Sequence, residues 1–85
     1  MTNIYELDGS CLREREAAHA YLQEMLGFPA WYGKNLDALF DLLTEQTEET
    51  MIFIENSDLA DEAILETFTD AMEENPALTV VFEEA

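Results

Sequence analysis

The chain has 85 residues, 48% of them hydrophobic, and sets 20 acidic side chains against three basic ones for a net charge of −17. That length suits one domain over residues 1–85 rather than two, and no run approaches the ~18 apolar residues of a membrane span. So acidic a chain repels nucleic acid and anionic membrane through their phosphates.

The bases Arg13, Arg15 and Lys34 all lie in the first 34 residues, so everything later is acidic or uncharged. Such a field attracts basic partners and speeds their arrival, although acidity also serves solubility alone. Cys11 is the one cysteine and cannot form an internal disulfide. The N-terminus lacks the basic region and apolar stretch of a secretory signal. The expected location is the cytoplasm.

Residues 4–7 read as a short strand closed by the turn pair Asp8-Gly9. A helix follows over residues 14–26, with Ala18, Leu22, Met25 and Leu26 on one face and Gly27 as its stop. Residues 28–33 form a connector. Pro29 biases Phe28 away from helix, and Gly33 permits an unusual backbone angle. The next helix covers residues 35–45, with Asn35 as N-cap and Leu36, Leu39, Phe40 and Leu43 as a buried stripe.

Residues 44–50 are polar and read as a loop. The apolar run 51–54 has the look of a strand covered on both faces, broken at residues 56–58. A last helix spans residues 61–74, with Ile64, Leu65, Phe68, Ala71 and Met72 inward, and Asn75-Pro76 ends it. Residues 78–82 form the final strand. Strands joined through helices predict an α/β fold with a small parallel sheet.

The chemistry-bearing residues are few. His19, the only histidine, reads as a partly exposed helical side chain with no partner for general-base work. Cys11 reads as a filler, since no second cysteine or basic context activates it. A transition-metal site would need more His and Cys ligands than the chain has, and no EF-hand loop, GxGxxG or P-loop occurs. The expectation is no enzyme, no cofactor and no metal.

Asp37 and Asp41 stand i, i+4 on the outer face of the second helix, beside the small Ala38 and followed by Thr44 and Glu45. Trp31 and Tyr32 lie just upstream. Acids around a flat patch with aromatics nearby suit a charge-reading contact surface. Against that, an acidic pair arises easily by chance among 20 acids, and the two aromatics could simply pack.

The segment Pro29-Ala30-Trp31-Tyr32-Gly33-Lys34-Asn35-Leu36-Asp37-Ala38-Leu39-Phe40-Asp41-Leu42-Leu43-Thr44 resembles the central segment of the barstar family, protein inhibitors of barnase-type ribonucleases. Asp8-Gly9 and His19 precede it, and Phe68, Ala71 and residues 78–82 follow it, at spacings similar to the family's. The resemblance implies a three-stranded parallel sheet packed by helices, monomeric when free. It implies tight 1:1 inhibition of a basic ribonuclease or nuclease toxin, as an immunity partner would provide.

In that resemblance Asp41 is the dominant contact, a carboxylate where the substrate phosphate would sit, and Asp37 is its acidic neighbour. Trp31, Gly33, Asn35, Ala38 and Thr44 match contact positions along the same surface, and Asp70 matches an outlying one. The chain departs from the family in a shorter segment between the middle strand and last helix, where a short helix is expected to be missing. It departs also at Lys34, which adds a positive charge, at Leu42, which stands where the family has cysteine, and at Glu45 and Gln46. The alternative is an acidic interaction module of the same fold whose basic partner is not a nuclease.

Overall fold

Three parallel strands in the order β1-β2-β3 carry three helices on one side. The computed structural model describes residues 2–85. Strand β1 is Asn3–Asp8, β2 is Thr50–Glu55 and β3 is Leu78–Phe82. Helix α1 spans Arg15–Leu26, α2 Leu36–Thr44 and α3 Glu62–Glu74. The predicted α/β class and parallel sheet are therefore present. Among the described residues no helix is long and apolar enough to cross a membrane.

The order of the strands decides where the helices go. Each step along the sheet runs in the same direction, and parallel crossovers share one hand. Both crossovers therefore deliver their helices to the same face. The core lies there, built from Leu7, Ile52, Ile54, Leu78 and Val80 of the sheet against Ala18, Leu22, Leu39, Leu43, Ile64, Phe68 and Ala71 of the helices. The run at residues 51–54 is accordingly not covered on both faces. Burial alternates along β2, with Thr50, Ile52 and Ile54 buried and Met51 and Phe53 only half-buried on the other side.

Two single 3-10 turns were not foreseen. One, Gly9–Leu12, follows β1 directly and buries Leu12. The other, Ser57–Leu59, occupies the shortened segment after β2, so a one-turn element stands there instead of nothing. Asp8 ties the two regions together. Its Oδ1 accepts from Ser10 N at 2.9 Å, Ser10 Oγ at 2.8 Å and Asn56 Nδ2 at 3.1 Å. Those bonds, led by Asn56, hold the Asp8 pKa below the ordinary carboxylate value.

Cys11 is exposed rather than a packing filler. Met25, expected on the inward face of α1, is exposed as well, whereas His19, expected to be partly exposed, is buried.

Gly9 is the tightest point of this junction. A Cβ added there would meet the Asn56 carbonyl oxygen at 2.2 Å and the Glu55 carbonyl oxygen at 2.8 Å. Those are backbone atoms of the neighbouring strand end and cannot swing away. Gly9→Ala is expected to cost about 1–3 kcal/mol, which lowers the midpoint of thermal unfolding by about 4–8 °C per kcal/mol. An unchanged melting curve by circular dichroism would contradict the close approach.

Candidate functional site

The site begins where α1 stops. Gly27 takes a left-handed conformation (φ 68°), and Phe28 N–H donates back to Gln23 O at 3.0 Å. The Pro29 carbonyl then accepts from Tyr32 N–H at 2.9 Å and from Gln23 Nε2 at 2.9 Å, which closes the connector into a turn held to α1.

Tyr32 and Trp31 part company at this turn. Tyr32 is 4% exposed and belongs to the core, its ring tilted against Phe28 at 4.9 Å and against His19 at 5.7 Å. Trp31, its neighbour, is 75% exposed. One aromatic therefore anchors the connector and the other is presented to solvent.

His19 is not the partly exposed side chain its position suggested. It is 3% exposed, with Nδ1 at 2.6 Å from the Tyr32 hydroxyl. Burial, reinforced by the Arg15 charge and partly offset by Asp61, holds its pKa below the ordinary 6.5. Burial pushes the Tyr32 phenol up to about 12. Near neutrality the pair is thus a neutral imidazole bonded to a neutral phenol. The signal was missed because the partners lie 13 residues apart, one on a helix and one in irregular chain.

Entry into α2 also differs from expectation. The left-handed residue is Lys34 (φ 54°), not Gly33. Gly33 is favoured for space instead, since a Cβ would stand 3.1 Å from Asn35 Nδ2 and 3.4 Å from Ala38 Cβ and crowd the N-cap side chain. Asn35 is the N-cap expected, its Oδ1 accepting from Ala38 N–H at 2.7 Å.

On α2 itself Leu39 and Leu43 are buried, Leu36 and Phe40 are half-buried, and Asp37 and Asp41 are exposed. Ala38 and Thr44 are half-buried beside them. The Thr44 hydroxyl donates to the Phe40 and Asp41 carbonyls at 2.9 and 3.1 Å, so it is turned onto its own helix. Leu42 packs against the core.

The far end of α2 is clamped by Asn75, which reasoning from sequence took only as a helix stop. Asn75 is buried, and its Nδ2 donates to Leu43 O and Gln46 O, both at 3.0 Å. Asp70 is exposed on α3, the helix packed beside α2. The structure thus sets Trp31, Gly33, Asn35, Asp37, Ala38, Asp41 and Thr44 along one connector and helix. Asp70 stands on a separate element.

Electrostatically the site is uncompensated. Among the described residues the one ion pair is Arg15–Asp61, at 3.3 Å, so neither Asp37 nor Asp41 has a basic partner. Asp37 lies in the first turn of α2, where the helix dipole favours it. Asp41 and the C-cap Glu45 lie at the opposite, negative end, and no base sits in that turn. A cleft of about 330 Å³ between α1 and the start of α2 is lined by Arg15, Glu16, His19, Lys34, Asn35 and Leu36. Among the described residues no group of three His, Cys, Asp or Glu side chains could hold a metal ion.

Residues 2–84 match the model of the family described as Barstar (barnase inhibitor). A 38-residue stretch, 45% of this chain, is 47% identical to the "Putative ribonuclease inhibitor YrdF" of Bacillus subtilis (strain 168). The matched stretch spans 42% of that protein's length.

The buried His19–Tyr32 contact carries a pH signature. The unfolded chain protonates His19 near pH 6.5, while the folded state resists. Stability is therefore whole above about pH 6.5 and declines as the pH falls below it, where the unfolded state binds more protons. Urea unfolding at pH 7.0 and 5.5 is expected to show this decline in the wild type and to lose it in His19→Gln. An identical decline in both proteins would contradict the contact.

Proposed function

The chain belongs to the barstar family, and on that premise we propose that it inhibits a basic ribonuclease, of the extracellular or toxin type, as a 1:1 complex. The acidic face of α2 and the connector before it would enter the nuclease active site. Residues 1–85 would act as one such domain, monomeric when free and resident in the cytoplasm as an immunity partner. In this reading the chain is an inhibitor and not an enzyme, and it uses no cofactor or metal.

One observation carries the reading. Asp37 and Asp41 are exposed and unpaired on a helix whose opposite face is buried and whose two ends are fixed, by Asn35 at one and Asn75 at the other. A ribonuclease holds cations and hydrogen-bond donors ready for a phosphate. A carboxylate fixed in that place satisfies them and offers no bond to cleave. Because the helix is rigid beforehand, little freedom is lost on binding.

Asp41 takes the phosphate position and Asp37 stands one turn away. Trp31, with most of its ring in water, supplies the apolar contact that anchors an interface. Gly33 and Ala38 keep the surface between them low, so that a partner approaches the backbone closely. Asn35 and Thr44 border the patch, although their hydrogen-bonding groups are largely engaged within the chain. Asp70 gives an outlying acidic contact. The remaining acids steer the encounter, most strongly at low salt.

The placement of Asp41 predicts opposed effects on stability and binding. In the free protein its charge faces the negative end of α2 without a base, so Asp41→Asn is expected to stabilise the fold by about 0.3–1 kcal/mol. The same change is expected to weaken binding by about 2–5 kcal/mol, the usual cost of truncating one member of a desolvated charge pair and a range measured in part on a complex of this family. Urea unfolding gives the first quantity, and calorimetric titration into a barnase-type ribonuclease gives the second. A variant that inhibits as well as the parent would sink the assignment.

A further inference from the structure

The sheet has a second face, and among the described residues no helix covers it. The side chains on it are set by the strand register. Ile4, Met51 and Thr79 form one row across the three strands, and Glu6, Phe53 and Val81 form the next. Ile4 is 63% exposed, and Met51, Phe53 and Val81 are half-buried but lie outside the core cluster on the other side. Four apolar side chains therefore adjoin one another on a face open to water.

We infer that this open sheet face is a second docking surface, and that its occupant is a cationic amphipathic helix of a partner protein. The width fits one helix. Three strands about 4.8 Å apart span about 10 Å from edge to edge, close to the diameter of an α-helix with its side chains. The helix would lie where α/β sheets that are covered on both faces carry their second layer.

Charge selects the kind of helix. The apolar rows are framed by carboxylates on the same side of the strands, Glu6 within the second row and Glu55 two residues beyond Phe53, and Glu49 and Glu83 lie in the chain just outside β2 and β3. No lysine or arginine occupies an outward strand position, for all three bases of the chain lie elsewhere. Like charges set side by side across strands destabilise a sheet, and cations arriving from a partner relieve that.

A shallow cavity of about 240 Å³ opens at the Glu49 end of the strands, and its lining includes Glu49, Thr50, Met51, Pro76, Ala77 and Thr79. Its methionine, proline and alanine suit the aliphatic stem of a lysine or arginine, and Glu49 suits the charge at its tip.

A second copy of the chain is a poor occupant. Each copy carries −17, and a face-to-face dimer would bury Glu6 against carboxylates with no cation to pair it. Anionic membrane is repelled for the same reason. The face lies across the sheet from α2, so a helix bound here leaves the acidic face of α2 free.

The test is methyl NMR on the whole chain, titrated with an 18-residue helical peptide that has leucines on one face and lysines on the other. Saturable shifts are expected at the methyls of Ile4, Met51 and Val81, and Phe53→Thr is expected to weaken binding at least tenfold. Should Phe53→Thr fail to fold, Val81→Thr takes its place. A peptide with the same leucine pattern and glutamates for lysines is expected not to bind.

Shifts confined to α2, undiminished binding by the variant, or equal binding of the glutamate peptide would each overturn the proposal. So would shifts of the same methyls with protein concentration alone, abolished by Phe53→Thr, because the occupant would then be a second copy.

Discussion

The Tyr32 hydroxyl lies 2.6 Å from His19 Nδ1 inside a core that leaves each residue under 5% exposed, and the geometry of the acidic surface follows from that contact. With Tyr32 drawn under α1, the tight turn from Pro29 leaves Trp31 no place but solvent. The chain emerges close to α1, and the left-handed Lys34 redirects it into α2. Asn35 then caps the helix at a fixed point. The carboxylates of Asp37 and Asp41 are positioned through this series of local constraints, with the Asn75 clamp setting the far end. An imidazole–phenol pair suits the purpose, since near neutrality neither ring carries a charge into the core.

A different constraint governs the rest of the molecule. Three strands in sequential order, joined by crossovers of one hand, place every helix on one face. The result is a two-layer structure with an acidic helix on one side and a bare sheet on the other. Charge unites the two sides. Twenty acids with one ion pair among the described residues leave the surface short of cations nearly everywhere. Free, the chain bears that self-repulsion, and a basic partner on either side relieves part of it.

Much of the architecture was legible in the residues. The stripe Leu36, Leu39, Phe40, Leu43 located α2 because its period is helical and its N-cap is an asparagine. Gly27 and Asn75-Pro76 marked two helix ends because their backbone chemistry admits little else. The run at residues 51–54 misled for a physical reason. A strand covered on both faces and a strand with one apolar face left open present the same unbroken hydrophobic stretch, and only the topology separates them. His19, Gly33 and Asn75 misled because their roles depend on neighbours remote in the chain or on the space around them. The acidic pair could be placed on the outer face of its helix from spacing alone. Its lack of a basic partner among the described residues, and the opposed fates of Trp31 and Tyr32, emerge only in the folded structure.

The central claim is that the carboxylate of Asp41 takes the place of a substrate phosphate. The most direct measurement is calorimetric titration of this protein into a barnase-type ribonuclease, with and without a mononucleotide held in the nuclease active site. Competition for one place predicts that the apparent affinity falls in proportion to nucleotide occupancy and that the nucleotide is released. An affinity indifferent to the nucleotide, with a ternary complex formed, would show that the inhibitor binds elsewhere and would contradict the account.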